Sequence, residues 1–261
     1  MDYAHARHAG NAGDVLKHVA LIAILDELLR DPAPLAYVET HAGDGLYPLG
    51  SSGEWGEGAL RVWGAQGGLV GRYAQILRGF SEPGAARPRA LPGSPLVARA
   101  LLRTEDRMLL HEIDPQSATV LRRSVPGAEV READGLSALP EAVHGRAFVL
   151  LDPPYAGKQE WTDAARALET IRGIPAVLWY PIKALTRPRA LIAGLPRLGV
   201  HGVAVEVHWT PLRLRRERLN GAGLVLVNVP APALASLCAV LPELAASLQT
   251  HGEWGAMQIG F

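Results

Sequence analysis

From residue 35 onward the chain alternates short apolar runs with amphipathic stretches, and this alternation constrains the fold more than any other feature. Apolar runs at 35–39, 107–113, 129–133, 147–151, 176–180, 203–209 and 223–229 have the length and residue types of strands. Between most of them lie pieces with helical spacing, at 96–102, 116–123, 136–143, 162–171 and 189–198. A crossover helix returns the chain to the same end of the sheet, so strands joined this way pair in parallel and the sheet is covered on both faces. The last two runs are joined by a charged loop without a helix, so they are expected to be antiparallel. The expected architecture is α/β, with seven mostly parallel strands and a C-terminal antiparallel hairpin.

Two further segments frame this core. After Asn11 and Asp14, the residues Val15, Val19, Ile22, Leu25 and Leu29 recur at helical spacing, which predicts a helix with one buried face. Residues 234–248 predict a closing helix. Residues 46–92 hold no convincing strand but two helix-like pieces, at 58–63 and 69–80, and leave through a stretch rich in Pro, Gly and Arg. They read as a helical insertion within a single domain spanning residues 1–261.

Composition excludes several classes of partner. Lys plus Arg equals Asp plus Glu, at 26 each, so no global basic field marks a nucleic-acid protein and any such footprint must be local. The single cysteine, Cys238, cannot form an internal disulfide and suits a reducing compartment. No apolar run is expected to reach membrane-spanning length and the N-terminus lacks a signal-peptide core, which predicts a cytoplasmic protein without a membrane partner. Nine histidines invite a metal, yet neither an H-x-x-x-H pair nor a Cys/His ligand set occurs, so no metal site is expected. A monomer is expected.

In open α/β sheets ligands bind beyond the carboxyl ends of the strands. The residues there are Glu39, His41, Gly43, Asp44 and Gly45 after the first strand, Glu112 after the second, and Asp134 and Gly135 after the third. Glycines let the chain turn and a ligand approach the backbone. Glu112 is placed to accept bonds from ribose hydroxyls, and Asp134 from an adenine amino group. One ligand carrying a ribose and an adenine accounts for all three positions. Each alone is weak, since glycine turns are common and loop acids are usually solvated. Spacing alone does not choose between a dinucleotide and another adenosyl cofactor.

The run Phe148 to Lys158, FVLLDPPYAGK, ends a buried strand in an acid and two prolines. Pro153 and Pro154 have fixed φ and push their preceding residues toward extended geometry, so Asp152 to Pro154 is held stiff. Neither proline offers an N–H. What remains is a row of acceptors, the Asp152 carboxylate and backbone carbonyls, complementary to an exocyclic amino group with two hydrogens to donate. Accepting those hydrogens exposes the nitrogen lone pair to an electrophile, which is a methylation geometry. Tyr155 supplies a face for stacking a flipped base. The bland alternative is a Pro-rich turn followed by a core tyrosine.

The tetrad DPPY at 152–155 resembles motif IV of adenine-N6 methyltransferases. YAHARHAGNAGDVLKH from Tyr3, THAGDG from Thr40, PGSPL from Pro92 and LWYP from Leu178 are similar to the bacterial RlmJ family along nearly the whole chain. The resemblance implies a Rossmann-like S-adenosylmethionine-dependent methyltransferase domain with a small helical insertion, acting on an adenine N6 of 23S ribosomal RNA. Carried over by position, it implies that Lys17, His18, His41, Ser94, Glu112, Asp134 and Gly135 surround S-adenosylmethionine. It makes Asp152 the catalytic acceptor, adjoining cofactor and base alike, held by Pro153 and stacked by Tyr155, and it makes Tyr3 a contact of the RNA. Read as residues alone, His18 also suits a satisfied core histidine, Lys17 a solvated position off the apolar stripe, and Ser94 a helix cap.

The loop PLRLRRERLNG joins the last two strands at the edge expected to carry DPPY. Residues 183–218 hold eight Lys or Arg against two Glu, so Arg213, Arg215, Arg216 and Arg218 are candidate phosphate contacts. A charged hairpin that only protects a sheet edge is the alternative. Two other functions stay open at this level: methylation of another nucleobase amine, in DNA adenine or RNA guanine, and a non-catalytic RNA-binding module.

Overall fold

The structure, a computed structural model, describes residues 8–211, 219–248 and 255–261. Its centre is five parallel strands: β1 (Ala36–Glu39), β4 (Arg107–Glu112), β5 (Glu129–Glu132), β6 (Ala147–Leu151) and β7 (Ala176–Ile182). β9 (Gly221–Val227) lies antiparallel between β7 and β8 (Val203–His208). β10 (Gly255–Gly260) adds antiparallel to the outer side of β8. Among the described residues the sheet therefore has eight strands, in the order β10-β8-β9-β7-β6-β1-β4-β5, where seven were expected. The seven expected strands and the antiparallel last pair are present; the eighth follows the closing helix.

Burial explains the sequence of each strand. β6, AFVLL, is buried at every residue, as a central parallel strand covered on both faces must be. β9 is also buried throughout and needs a glycine in its middle, because a Cβ on Gly223 would lie 2.0 Å from the ring of Tyr180. β2 (Leu46–Pro48) and β3 (Ala90–Pro92) form a separate two-stranded ribbon, although no strand was expected there. Each has three residues, too few for an alternating pattern, and the pairing of Leu46 with Pro92 depends on bringing the two ends of the 46–92 segment together.

Between those ends lie a 3-10 turn at Glu54–Glu57, the short helix α2 (Ala59–Val62) and α3 (Gly68–Gly79). Trp55, Ala59, Val62, Tyr73 and Leu77 from this segment join one apolar cluster with Val15, Leu16 and Val19 of α1 (Ala12–Leu28). α4 (Ser94–Arg99) and α9 (Ala231–Leu248) complete that layer. α1 is thus buried from Ala12 to Leu25 on nearly every side except Asp14, where one buried face was expected. Tertiary neighbours, not its own pattern, decide this. On the opposite face α6 (Gly135–Ala142), α7 (Gln159–Thr170) and α8 (Thr186–Gly194) build the second cluster, whereas α5 (Pro115–Ser124), beside β4 and β5, contributes Leu121 to the first.

One further expectation needs correction. α9 is long and apolar enough to cross a membrane by length and composition. Its residues Ala233, Leu237, Leu241, Leu244, Ala245 and Leu248 are buried in the cluster that contains α1, so one face of α9 covers the core.

Candidate active site

Parallel pairing in register brings the carboxyl ends of β1, β4 and β6 to one edge: Glu39 pairs with Leu110 on one side and Leu150 on the other. Asp152 follows β6 there, and the N-terminal turn of α1 reaches the same place. Asn11 caps α1 by accepting the Asp14 N–H at 3.0 Å, and Asp14 Oδ2 accepts the Gly10 N–H at 2.8 Å. This leaves Asp14 Oδ1 for Lys17, whose Nζ donates to it at 2.9 Å and to Asp152 Oδ2 at 2.5 Å. Lys17 is only 6% exposed. Burial opposes its charge, but Asp14 and Asp152 outweigh that cost and hold it well above the ordinary lysine range. Burial likewise works against the Asp14 carboxylate, yet Lys17 draws it below its ordinary value.

The stiff row of acceptors after β6 is therefore partly engaged, where an open row was expected. Lys17 takes one Asp152 oxygen; among the described residues Asp152 makes no other side-chain hydrogen bond, and the carbonyls of Asp152 and Pro153 accept none. Tyr155 also differs from expectation. It turns to φ +53, in the left-handed region that L residues avoid, and its ring folds into the second apolar cluster with 7% exposure. Its hydroxyl donates to the Trp179 carbonyl at 2.8 Å, and its ring centroid is 4.4 Å from that of Trp161. Trp161 and the second cluster thus cover most of the ring.

The remaining candidates divide into groups facing the strand ends and groups that hold the frame. Glu112 accepts the Gly43 N–H at 2.8 Å through one oxygen and the Asp114 N–H at 2.9 Å through the other, which fixes the carboxylate against the glycine turn. Gly43 sits at φ +61, and a Cβ on it would meet the Tyr47 hydroxyl at 2.2 Å. His41 bonds to Thr40 Oγ1 at 2.7 Å. Burial lowers its pKa although the charges of Asp152, Glu112, Asp134 and Glu160 all pull the other way. Asp134 caps α6, accepting from the Leu136 N–H and Ser137 Oγ. Gly135 has a packing reason of its own, since a Cβ there would lie 2.1 Å from the Thr40 carbonyl.

His18 follows Lys17 on α1 and is buried. It is 2% exposed, its Nδ1 is 3.0 Å from the Tyr73 hydroxyl, and burial followed by the Lys17 charge pushes its pKa down to about 3. It is a neutral core histidine whose Nε2 has no protein partner among the described residues. Ser94 does not cap α4, because Gly93 occupies that position; its hydroxyl donates to Glu39 Oε1 at 2.5 Å. Tyr3, Arg213, Arg215, Arg216 and Arg218 lie outside the described residues.

Sequence reasoning missed Asp14, Tyr37, Trp161 and Trp179 as parts of this region. The Asp14-x-x-Lys17 spacing on one helix, and Tyr37-x-Glu39 on one side of a strand, were the available signals.

The family described as ribosomal RNA large subunit methyltransferase D, RlmJ, matches residues 32–259. The chain belongs to this RlmJ family. Among its RlmJ relatives, ribosomal RNA large subunit methyltransferase J of Escherichia coli K12 is 33% identical over 272 residues, covering 97% of this chain and 95% of the relative. The protein of the same name from Haemophilus influenzae is 30% identical over the same shares. Protein LPL1258 from Legionella pneumophila has the same architecture, with a TM-score of 0.89 at 27% identity, over 97% of this chain and 98% of that one. Within the RlmJ family frame, the cluster at the ends of β1, β4 and β6 is the candidate active site.

Proposed function

We propose that this chain transfers a methyl group from S-adenosylmethionine to the exocyclic N6 of an adenine in 23S ribosomal RNA. The observation that carries this reading is the Asp152 carboxylate, gripped on one oxygen by buried Lys17 and followed by two prolines that bring no competing N–H. Membership of the RlmJ family supports the class of reaction and of substrate.

The residues present fit the cofactor. Glu112 is an immobilised carboxylate with lone pairs left for ribose hydroxyls, beside a glycine turn that brings backbone close. His41, Asp134 and Ser94 line the same strand ends, and Gly135 supports them by close packing. When bound, the cofactor supplies a methyl group made electrophilic by a sulfonium. Lys17 holds Asp152 by one oxygen and so orients it, and Lys17 stays charged at neutral pH. The second Asp152 oxygen and the Pro153 carbonyl then accept the two amino hydrogens of the target base. Asp152 takes up the proton that the nitrogen loses after methylation. Trp161, beside Tyr155 and half-buried, walls the apolar side of that position.

The test is methyl transfer from tritiated S-adenosylmethionine to protein-free ribosomal RNA and, in parallel, to DNA, followed by nucleoside analysis. N6-methyladenosine from the large-subunit RNA is the expected product. Label in N2-methylguanosine or in DNA would replace the substrate assignment, and no turnover on any acceptor would favour the binding module.

RNA binding is expected at the loop after β8. Because β8 runs parallel to β7, this loop leaves the sheet on the edge that carries Asp152. Neutralising Arg213, Arg215, Arg216 and Arg218 together is expected to weaken RNA affinity at least tenfold and to flatten its salt dependence by roughly 0.7 log unit per lost phosphate contact, with cofactor affinity unchanged. Equal RNA retention by the variant in a filter assay removes the loop from the RNA path.

A further inference from the structure

Glu39 is fully buried at the end of β1, and its two oxygens have different partners. The Tyr37 hydroxyl donates to Oε2 at 2.7 Å and the Ser94 hydroxyl to Oε1 at 2.5 Å. Tyr37 is also fully buried, and burial next to a carboxylate keeps its phenol protonated, so it remains a donor. Ser94 has one proton and two lone pairs, and a rotor to redirect them.

We propose that Glu39 is a positioning residue that decides whether Ser94 offers a lone pair or a proton to the amino-acid arm of the cofactor. The inference rests on the cofactor placement proposed above. With Glu39 ionised, both of its oxygens accept, and the single Ser94 proton is spent on Oε1. Ser94 then presents only lone pairs, which suit the ammonium of the arm. With Glu39 protonated on Oε1, that O–H donates to Ser94, and Ser94 turns its own proton outward, against the ammonium. Tyr37 donates to Oε2 in both states, so one proton moves the sense of one hydrogen bond.

Both states are accessible near neutrality. Burial first pushes Glu39 up to about 7, while the bonds from Ser94 and Tyr37 and the charge of Lys17 on α1 pull it down, and Asp152 after β6 pushes it up again. From β4, His111 faces the Glu39 backbone carbonyl, with Nδ1 at 3.1 Å.

The experiment is calorimetric titration of the whole chain with S-adenosylhomocysteine between pH 6 and 8.5, with 5′-methylthioadenosine, which lacks the amino-acid arm, as the comparison. Wild-type affinity for S-adenosylhomocysteine is expected to rise about tenfold with pH, the value of one charge-assisted hydrogen bond of about 1.4 kcal/mol. Glu39→Gln, whose amide donates permanently toward Ser94, is expected to hold the weak acid-side affinity at every pH, and Ser94→Ala to lose the added pH dependence even if Glu39→Gln does not fold. Titration of the ligand's own amine is common to all variants, so the difference between them is the readout. 5′-Methylthioadenosine is expected to bind equally at all pH values. Tight S-adenosylhomocysteine binding with the same pH profile in wild type and Ser94→Ala overturns this inference alone. Absence of any binding overturns the cofactor placement and the inference with it.

Discussion

Asp152→Ala is expected to lower the rate of methyl transfer by about 10²–10⁴-fold, the range for losing a positioned acid–base group. Two losses combine. The target amine loses an anionic acceptor where positive charge develops, and the proton loses its destination. Lys17 keeps Asp14 at 2.9 Å, so the N-terminal turn of α1 retains its ion pair and the fold persists. S-adenosylhomocysteine affinity is expected to change by no more than a few-fold, since Glu112 and the glycine turn are untouched. Single-turnover assays with saturating RNA separate the two effects. Turnover within a few-fold of wild type would remove Asp152 from the chemistry.

Lys17→Met is expected to be the most destabilising single change at this site. It leaves the Asp14 and Asp152 carboxylates, 22% and 19% exposed, without their shared counter-charge. Breaking a buried pair in this way costs about 3–5 kcal/mol; the partial exposure of both acids places this case near 3 kcal/mol, or roughly 6–12 °C in Tm for a chain of this size. The pH dependence has a definite sign. Asp14 lies below its ordinary value of 3.8, so its contribution is present above that pH and is lost as pH falls through its folded value. Lys17 lies above 10.5, so its contribution is complete below that pH and is lost as pH rises through its folded value. The deficit of the variant is therefore full at neutral pH, and it shrinks as pH falls and the Asp14 carboxylate protonates. Thermal unfolding at pH 3.5 and pH 7 measures this. A deficit that is the same at both pH values would show that Lys17 acts through packing of its stem alone.

Particular elements show how far local reading reaches. β6 was legible because a wholly buried parallel strand must be an unbroken apolar run, and β7, buried except at Trp179, reads nearly the same way. DPPY was legible because proline restricts its own φ and its predecessor, wherever the chain goes. The β2–β3 ribbon was not, since its pairing of Leu46 with Pro92 has no local pattern. Lys17 read as a solvated position from its own helix; only the tertiary packing around α1 buries it, and only the turn after β6 gives it Asp152. Tyr155 read as a flat stacking face, and its positive φ and its ring contact with Trp161 were not legible in the sequence.

By itself the sequence determined the seven expected strands of the main sheet and the helices between them, where the parallel run ends, and which stiff acceptor-bearing turn follows β6, because these depend on side-chain periodicity and on proline's fixed dihedral. Tertiary structure alone decided that Lys17 meets Asp152, that Ser94 reaches Glu39, and that His18 stays neutral. Those outcomes depend on the local dielectric and on contacts between residues 55 to 135 positions apart, which no local pattern encodes.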